Sequence, residues 1–253
     1  MYTQTETYQN YITVAQNKTS AVWYKTLLLA VFAGAFIAFG AVAANAASAA
    51  AGNAATAIKG AVFPVGLVLV VLFGAELFTG NNLLLAPAMG RNIKVGAMFK
   101  NLGIVYCGNL IGSVLIAVIV VYSGVQTGAV KEACISVAAA KCNMNFGIAL
   151  LRGIPCNILV CLAVWVTVSS KTAAGKIVSM YLPIYAFVVC GFEHSVANMY
   201  YLTAGLLSGS ADGLNAGNAI LNCLLPSTLG NIIGGALTAL SLFVLHGKTK
   251  RPE

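Results

Sequence analysis

Two glutamates stand inside apolar runs in matching settings: Gly74-Ala75-Glu76-Leu77-Phe78-Thr79-Gly80-Asn81-Asn82 and, 117 residues later, Gly191-Phe192-Glu193-His194-Ser195-Val196-Ala197-Asn198-Met199. Each reads Gly-x-Glu, three variable positions, a small residue, then Asn. Lipid cannot satisfy the hydrogen bonds of such residues, so they are costly in a hydrophobic span unless they line or support a polar pathway. Paired interruptions in the two halves of a chain point to a transport site. A helix broken inside a membrane frees N–H and C=O groups, and its half-helix N-terminus attracts anions. Glu76 and Glu193 then fit as supports that face away from the path and hold each break rigid, with Asn81 and Asn198 beside them. Thr79 offers a hydroxyl to an anion, and the mirrored break offers His194. A neutral imidazole donates a hydrogen bond, and an ordinary one exchanges a proton near neutrality.

The elements that must position these groups follow from hydropathy. The chain has 253 residues, 59% hydrophobic and 8% charged, with a mean hydropathy of +0.88. That composition excludes a water-soluble domain. Apolar runs of about 20 residues fall at Thr26 to Ala51, Phe63 to Gly90, Phe99 to Tyr122, Phe146 to Val168, Ile177 to Leu207 and Leu221 to Leu245. The second and fifth are the long, interrupted ones. Gly108-Asn109-Leu110-Ile111-Gly112 in the third run matches Gly230-Asn231-Ile232-Ile233-Gly234 in the sixth. Three spans per half, an odd number, make the second copy enter from the opposite side, so the expected fold is all-α, with six transmembrane helices in a 3+3 inverted repeat. Glycines four apart let another helix backbone approach closely. The expected division is an N-terminal segment at 1–25, a transport domain at 26–246 with repeats near 26–122 and 146–245, and a tail at 247–253.

Ten Lys and Arg fall on one side of these spans (Lys18, Lys25, Arg91, Lys94, Lys100, Lys171, Lys176, Lys248, Lys250 and Arg251) and Lys59, Lys131 and Lys141 on the other. The bias predicts that both termini are cytoplasmic. The net charge of +8 then reports topology and contact with anionic lipid, and nothing suggests nucleic acid. Nothing at the start reads as a signal peptide. Tyr8, Tyr11, Ile12 and Ala15 recur at helical spacing, which fits either a short amphipathic helix on the membrane surface or a disordered tail. Of seven cysteines, Cys134 and Cys142 share an outer loop, but the odd count argues against a pair. Lys141 precedes the fourth span and stands where it would draw anions to a mouth, and Arg152 lies inside that span. No metal spacing, nucleophile or cofactor motif is apparent, so no cofactor is expected and an enzyme is disfavoured. A water or glycerol channel would carry an Asn-Pro-Ala triplet, which neither break has.

Together, Gly74 to Gly80, the stretch Gly153 to Trp165 containing Cys156-Asn157-Ile158-Leu159-Val160-Cys161-Leu162-Ala163-Val164-Trp165, and Gly191 to Met199 resemble the formate/nitrite transporter family from about Lys25 to His246. The resemblance implies an aquaporin-like subunit in a homopentamer, each subunit having its own pore for formate, nitrite, hydrosulfide or lactate. It places the family's central histidine on His194, its loop threonine on Thr79, its pore asparagine on Asn157 and its vestibule lysine on Lys141. Its apolar constrictions fall on Phe63, Leu67, Leu77, Phe78, Val160 and Phe187. Pro155, and Asn81-Asn82 after the first break, depart from the pattern. The mechanism this implies has Lys141 and the half-helix ends attract a small monovalent anion, which sheds water at a constriction, meets His194 and crosses as its neutral acid. Formate ranks first, on family breadth.

Overall fold

A computed structural model describes residues 1–247, and the tail positions Lys248, Lys250 and Arg251 lie outside the described residues. The described chain is all-helical. Helix α1 covers Gln4–Ser20 and α2 covers Trp23–Ser48, followed by α3 (Ala55–Val62), α4 (Val65–Phe73), α5 (Phe78–Asn81), α6 (Leu85–Met89) and α7 (Val95–Tyr122). The second half holds α8 (Gly128–Cys142), α9 (Phe146–Ser169), α10 (Ala173–Val189), α11 (Ser195–Ser208), α12 (Ala216–Asn218) and α13 (Leu225–Leu242), with a π-helical stretch at Ala219–Leu224. Five helical segments are long and apolar enough to cross a membrane: Trp23–Ser48, Gly52–Phe73, Val95–Tyr122, Phe146–Ser169 and Ala216–Gly247.

The glycines of the two matched motifs bring helix pairs into backbone contact. A methyl on Gly112 would overlap the Val31 carbonyl, and one on Gly234 would overlap the Ile154 carbonyl. So α7 lies against α2, and α13 against α9, closer than side chains allow.

Three features depart from the hydropathy reading. The second apolar segment begins at Gly52 rather than Phe63, because Asn53, Thr56 and Lys59 dilute the hydropathy of its first turns. The outer loop is the 15-residue helix α8, on which Cys134 and Cys142 are buried free thiols. The N-terminal segment is a helix, but its apolar face does not lie on lipid. Tyr8, Tyr11 and Ala15 are buried, with Tyr8 and Tyr11 tilted against Trp165 at 6.3 and 6.2 Å. Trp165 donates to Gln4 at 3.1 Å. Aromatic rings on both sides give this helix a better partner than the membrane surface. A capping box of Thr3 and Glu6 starts it and holds the Glu6 carboxyl below the usual range through hydrogen bonds from the Thr3 backbone and hydroxyl.

Candidate functional site

Both interruptions are built the same way. Helix α4 stops at Gly74, whose φ of 73° is left-handed, and α10 stops before Gly191, at 66°. The N–H of Ala75 reaches back to the Val70 carbonyl at 2.9 Å, and that of Phe192 to Phe187 at 3.0 Å. These are the long-range closures of a glycine-terminated helix, and a side chain at either glycine is opposed by backbone strain.

Asparagines of the Gly-Asn-x-x-Gly motifs hold the freed groups. Asn109 accepts the Phe78 N–H at 2.9 Å and donates to the carbonyls of Ala30 and Glu76 at 2.8 and 2.9 Å. Asn231 accepts the Ser195 N–H at 2.8 Å and donates to the carbonyls of Gly153 and Glu193 at 2.8 Å each. Both are fully buried, and one amide per break satisfies three backbone groups. Sequence reasoning took these motifs for helix packing and missed the asparagine. Its recurrence between paired glycines, 122 residues apart, was the available signal.

Each glutamate is held by a lysine and an asparagine. The Lys18 ammonium lies 2.9 Å from Glu76 Oε1 and donates to Asn81 Oδ1 at 3.0 Å. Asn81 in turn donates to Glu76 at 2.5 Å and to Asn101 at 2.9 Å. In the second half Lys141 lies 2.7 Å from Glu193 Oε2, and Asn198 donates to the same oxygen at 2.8 Å. The lysine side chains are 20% and 15% exposed and the carboxylates 8% and 5%. Burial would lower the Lys141 ammonium, but Glu193 more than offsets it, so Lys141 sits above the ordinary lysine range. Lys141 is thus a helix residue in a buried pair rather than a solvated loop lysine. Lys18 precedes Lys141 by 123 residues, as Ala30 precedes Gly153. It is the corresponding residue, although by sequence it counts only toward the charge bias.

Thr79 and His194 meet between the breaks, with Thr79 Oγ1 and His194 Nε2 2.9 Å apart and both residues buried. The Ala197 N–H donates to His194 Nδ1 at 3.0 Å. A backbone N–H only donates, so Nδ1 carries no proton and the ring's hydrogen sits on Nε2, donated to the Thr79 hydroxyl. The Thr79 hydrogen is then free to point elsewhere.

Around this pair the six apolar candidates are all buried. Phe187 stacks on the His194 ring at 5.7 Å and meets Phe63 edge-on at 5.7 Å, while Phe78 packs on Tyr106 at 4.8 Å. Leu67 and Leu77 line the inner end of a cavity of about 650 Å³ that opens past Lys18, Lys25, Lys171 and Lys176. Val160 lies in the same core. Asn157 donates to the Asn231 carbonyl at 2.6 Å, and its own oxygen has no partner. Asn82, adjacent to the break, donates to the carbonyls of Phe78 and Thr79 at 3.0 and 3.4 Å. Pro155 is accommodated inside a continuous α9. The structure therefore joins Thr79, His194, Phe63 and Phe187 directly and leaves Lys141 bound to Glu193.

Comparison with known proteins agrees on one group. The family model described as formate/nitrite transporter matches residues 5–245. The uncharacterized transporter YrhG of Bacillus subtilis is 42% identical over 234 residues, covering 89% of this chain and 86% of that one. A probable formate transporter of Methanothermobacter thermautotrophicus is 37% identical, with 91% of each chain covered. A solved pentameric formate channel with formate bound superposes with a TM-score of 0.82 at 32% identity, over 88% of this chain and 96% of that one.

Proposed function

The chain belongs to the formate/nitrite transporter family, and on that premise we propose that it carries a small monovalent anion, formate first, across the membrane through a pore in each subunit of a homopentamer. It is an integral, multi-pass membrane protein. In the proposed topology six spans form a 3+3 inverted repeat, with α3–α4 and α5–α6 as the broken second span and α10 and α11 as the fifth. Residues 26–246 make one transport domain, with 1–25 and 247–253 cytoplasmic, in a bacterial inner membrane. It has no catalytic role. Nitrite and hydrosulfide, also anions of weak acids, suit the same donors.

The observation that carries this reading is the Thr79–His194 hydrogen bond between two helix breaks, walled by Phe63, Phe187, Leu67, Leu77, Phe78 and Val160, with a buried lysine at each end. In this mechanism Lys18 and Lys141 raise the local anion concentration at the two mouths. Their glutamates brace the breaks and are not part of the path. A bare charge does not enter an apolar constriction cheaply, so the anion takes up a proton in the vestibule and passes as the neutral acid. His194 holds its hydrogen on Nε2 and caps α11 with Nδ1. It orients the Thr79 hydroxyl toward the passing carboxyl and supplies no net proton, which comes from water. Asn157 offers its unpartnered oxygen to the acid's O–H.

The test is uptake of labelled formate, nitrite and hydrosulfide into proteoliposomes at acid and neutral pH. Wild type should be selective and faster at acid pH, and His194→Ala should lose that selectivity. Leakage equal to empty vesicles for every anion would remove the transport reading.

A further inference from the structure

The outward side of α9 carries a cation that its own subunit does not satisfy. Arg152 is exposed and its guanidinium has no hydrogen bond or ion pair within the described residues. It stands six residues into a helix that begins at Phe146, about 9 Å from that end. Ile148, Leu151 and Leu162 share its face and are 48%, 65% and 39% exposed. Pro155, one turn on, has no N–H to return to the Leu151 carbonyl, so an acceptor is also left on this face. A guanidinium and a loosened carbonyl on an apolar membrane surface are costly against lipid.

Charge complementarity identifies the occupant. Of the six acidic residues in the chain, Glu76 and Glu193 are in internal pairs, Glu6 caps α1 at the opposite end and Glu253 is outside the described residues. Glu132, on α8, and Asp212, held beside α8 by Asn143, remain. Both are exposed, at the end of the bundle that Arg152 can reach, without an ion pair among the described residues. We propose that the outward face of α9 is an interface with a second copy of this chain, in which Arg152 meets a carboxylate of that copy, Glu132 or Asp212. This rests on the pentameric reading above. It also ties assembly to the site, because the Arg152 carbonyl accepts the Glu193 N–H at 3.2 Å.

The experiment is native mass spectrometry of the full-length protein in mild detergent, with the oligomer titrated against dilution. Arg152→Glu and Arg152→Gln should each weaken association by roughly 30-fold or more, the usual effect of unpairing a buried interfacial charge. Glu132→Lys or Asp212→Lys should do the same, and one of these combined with Arg152→Glu should restore the oligomer. Arg152→Gln keeps the shape of the helix, and its intrinsic fluorescence shows that the subunit is folded. Wild-type association in both Arg152 variants overturns the inference. So does a loss that neither reversal restores and that wild type reproduces when anionic lipid is stripped, which would assign Arg152 to a lipid phosphate. A wild type that is monomeric throughout instead removes the assembly reading itself.

Discussion

Replacing Asn231 with Leu keeps the side chain's size and removes its three hydrogen bonds. The Gly153 carbonyl lies inside α9 and keeps its helical partner, but the Ser195 N–H and the Glu193 carbonyl face only Asn231 in the break. A buried backbone group left without a partner costs roughly 1–3 kcal/mol, and no water reaches this depth to replace it. Two such groups amount to about 2–6 kcal/mol, a large part of a typical protein's total stability. Asn231→Asp keeps an acceptor for Ser195 but sets a carboxylate against two carbonyl oxygens, so it should be no better than Leu. Asn109→Leu strips the Phe78 N–H and the Glu76 carbonyl in the same way and should cost a similar amount. The assay is unfolding of purified protein followed by the fluorescence of its two tryptophans, beside formate uptake, with the exposed Asn53→Leu as control. Unfolding within about 0.5 kcal/mol of wild type, the range of neutral surface changes, together with normal uptake, would refute the assignment of these asparagines as the clamps of the breaks.

Lys141→Met alone should destabilise by about 3–5 kcal/mol through the orphaned Glu193, and adding Glu193→Gln should recover much of this without restoring flux; equal stability of single and double variants would show that the pair is not coupled. Trp165→Ala should cost about 3–5 kcal/mol and release α1, measured as faster proteolysis before Trp23. Gly112→Val or Gly234→Val should abolish accumulation of folded protein, whereas Gly103→Ala, whose added methyl would meet nothing within 4 Å, should be neutral or stabilising by up to about 1 kcal/mol. Because Thr3 holds the Glu6 carboxyl low in the folded chain, the capping box stabilises α1 above the unfolded glutamate value and loses that contribution as pH falls through the lower folded one; amide exchange at residues 4–8 should rise only in acid.

The broken spans were legible because a glutamate, two asparagines and paired glycines have no reason to recur at one spacing in apolar sequence. The helical packing was legible from Gly-x-x-x-G. What sequence could not supply was pairing across distance. Lys18 is an ordinary juxtamembrane lysine until α1 folds back through Tyr8, Tyr11 and Trp165, and nothing local to residues 4–20 names Trp165 as the partner. Helix α8 was hidden because its mixed composition passes for a loop. The roles of Asn109 and Asn231 were hidden because one residue type fits both helix packing and backbone capping, and only the position of the break separates them.

The repeat also explains why the site is single rather than double. With Glu76 aligned on Glu193, His194 falls on Leu77 and Thr79 on Val196. Leu77 and His194 have nearly the same backbone, with φ, ψ of −107°, 123° and −100°, 112°, each starting a half-helix. Only His194 caps its helix with a side chain. The frame of glycines, glutamates and asparagines is therefore duplicated, while the polar groups that meet between the breaks come one from each half at unlike positions. A symmetric choice would give either two histidines, with hydrogens competing for one space, or two threonines with no fixed donor between them. The unlike pair gives a defined order of donors, from the Ala197 N–H to Nδ1 and from Nε2–H to the Thr79 oxygen, and leaves one hydroxyl hydrogen available. A passing carboxylic acid needs one donor for its carbonyl and one acceptor for its O–H. Thr79 and the unpartnered Asn157 oxygen supply those two groups, and no charge has to be buried to provide them.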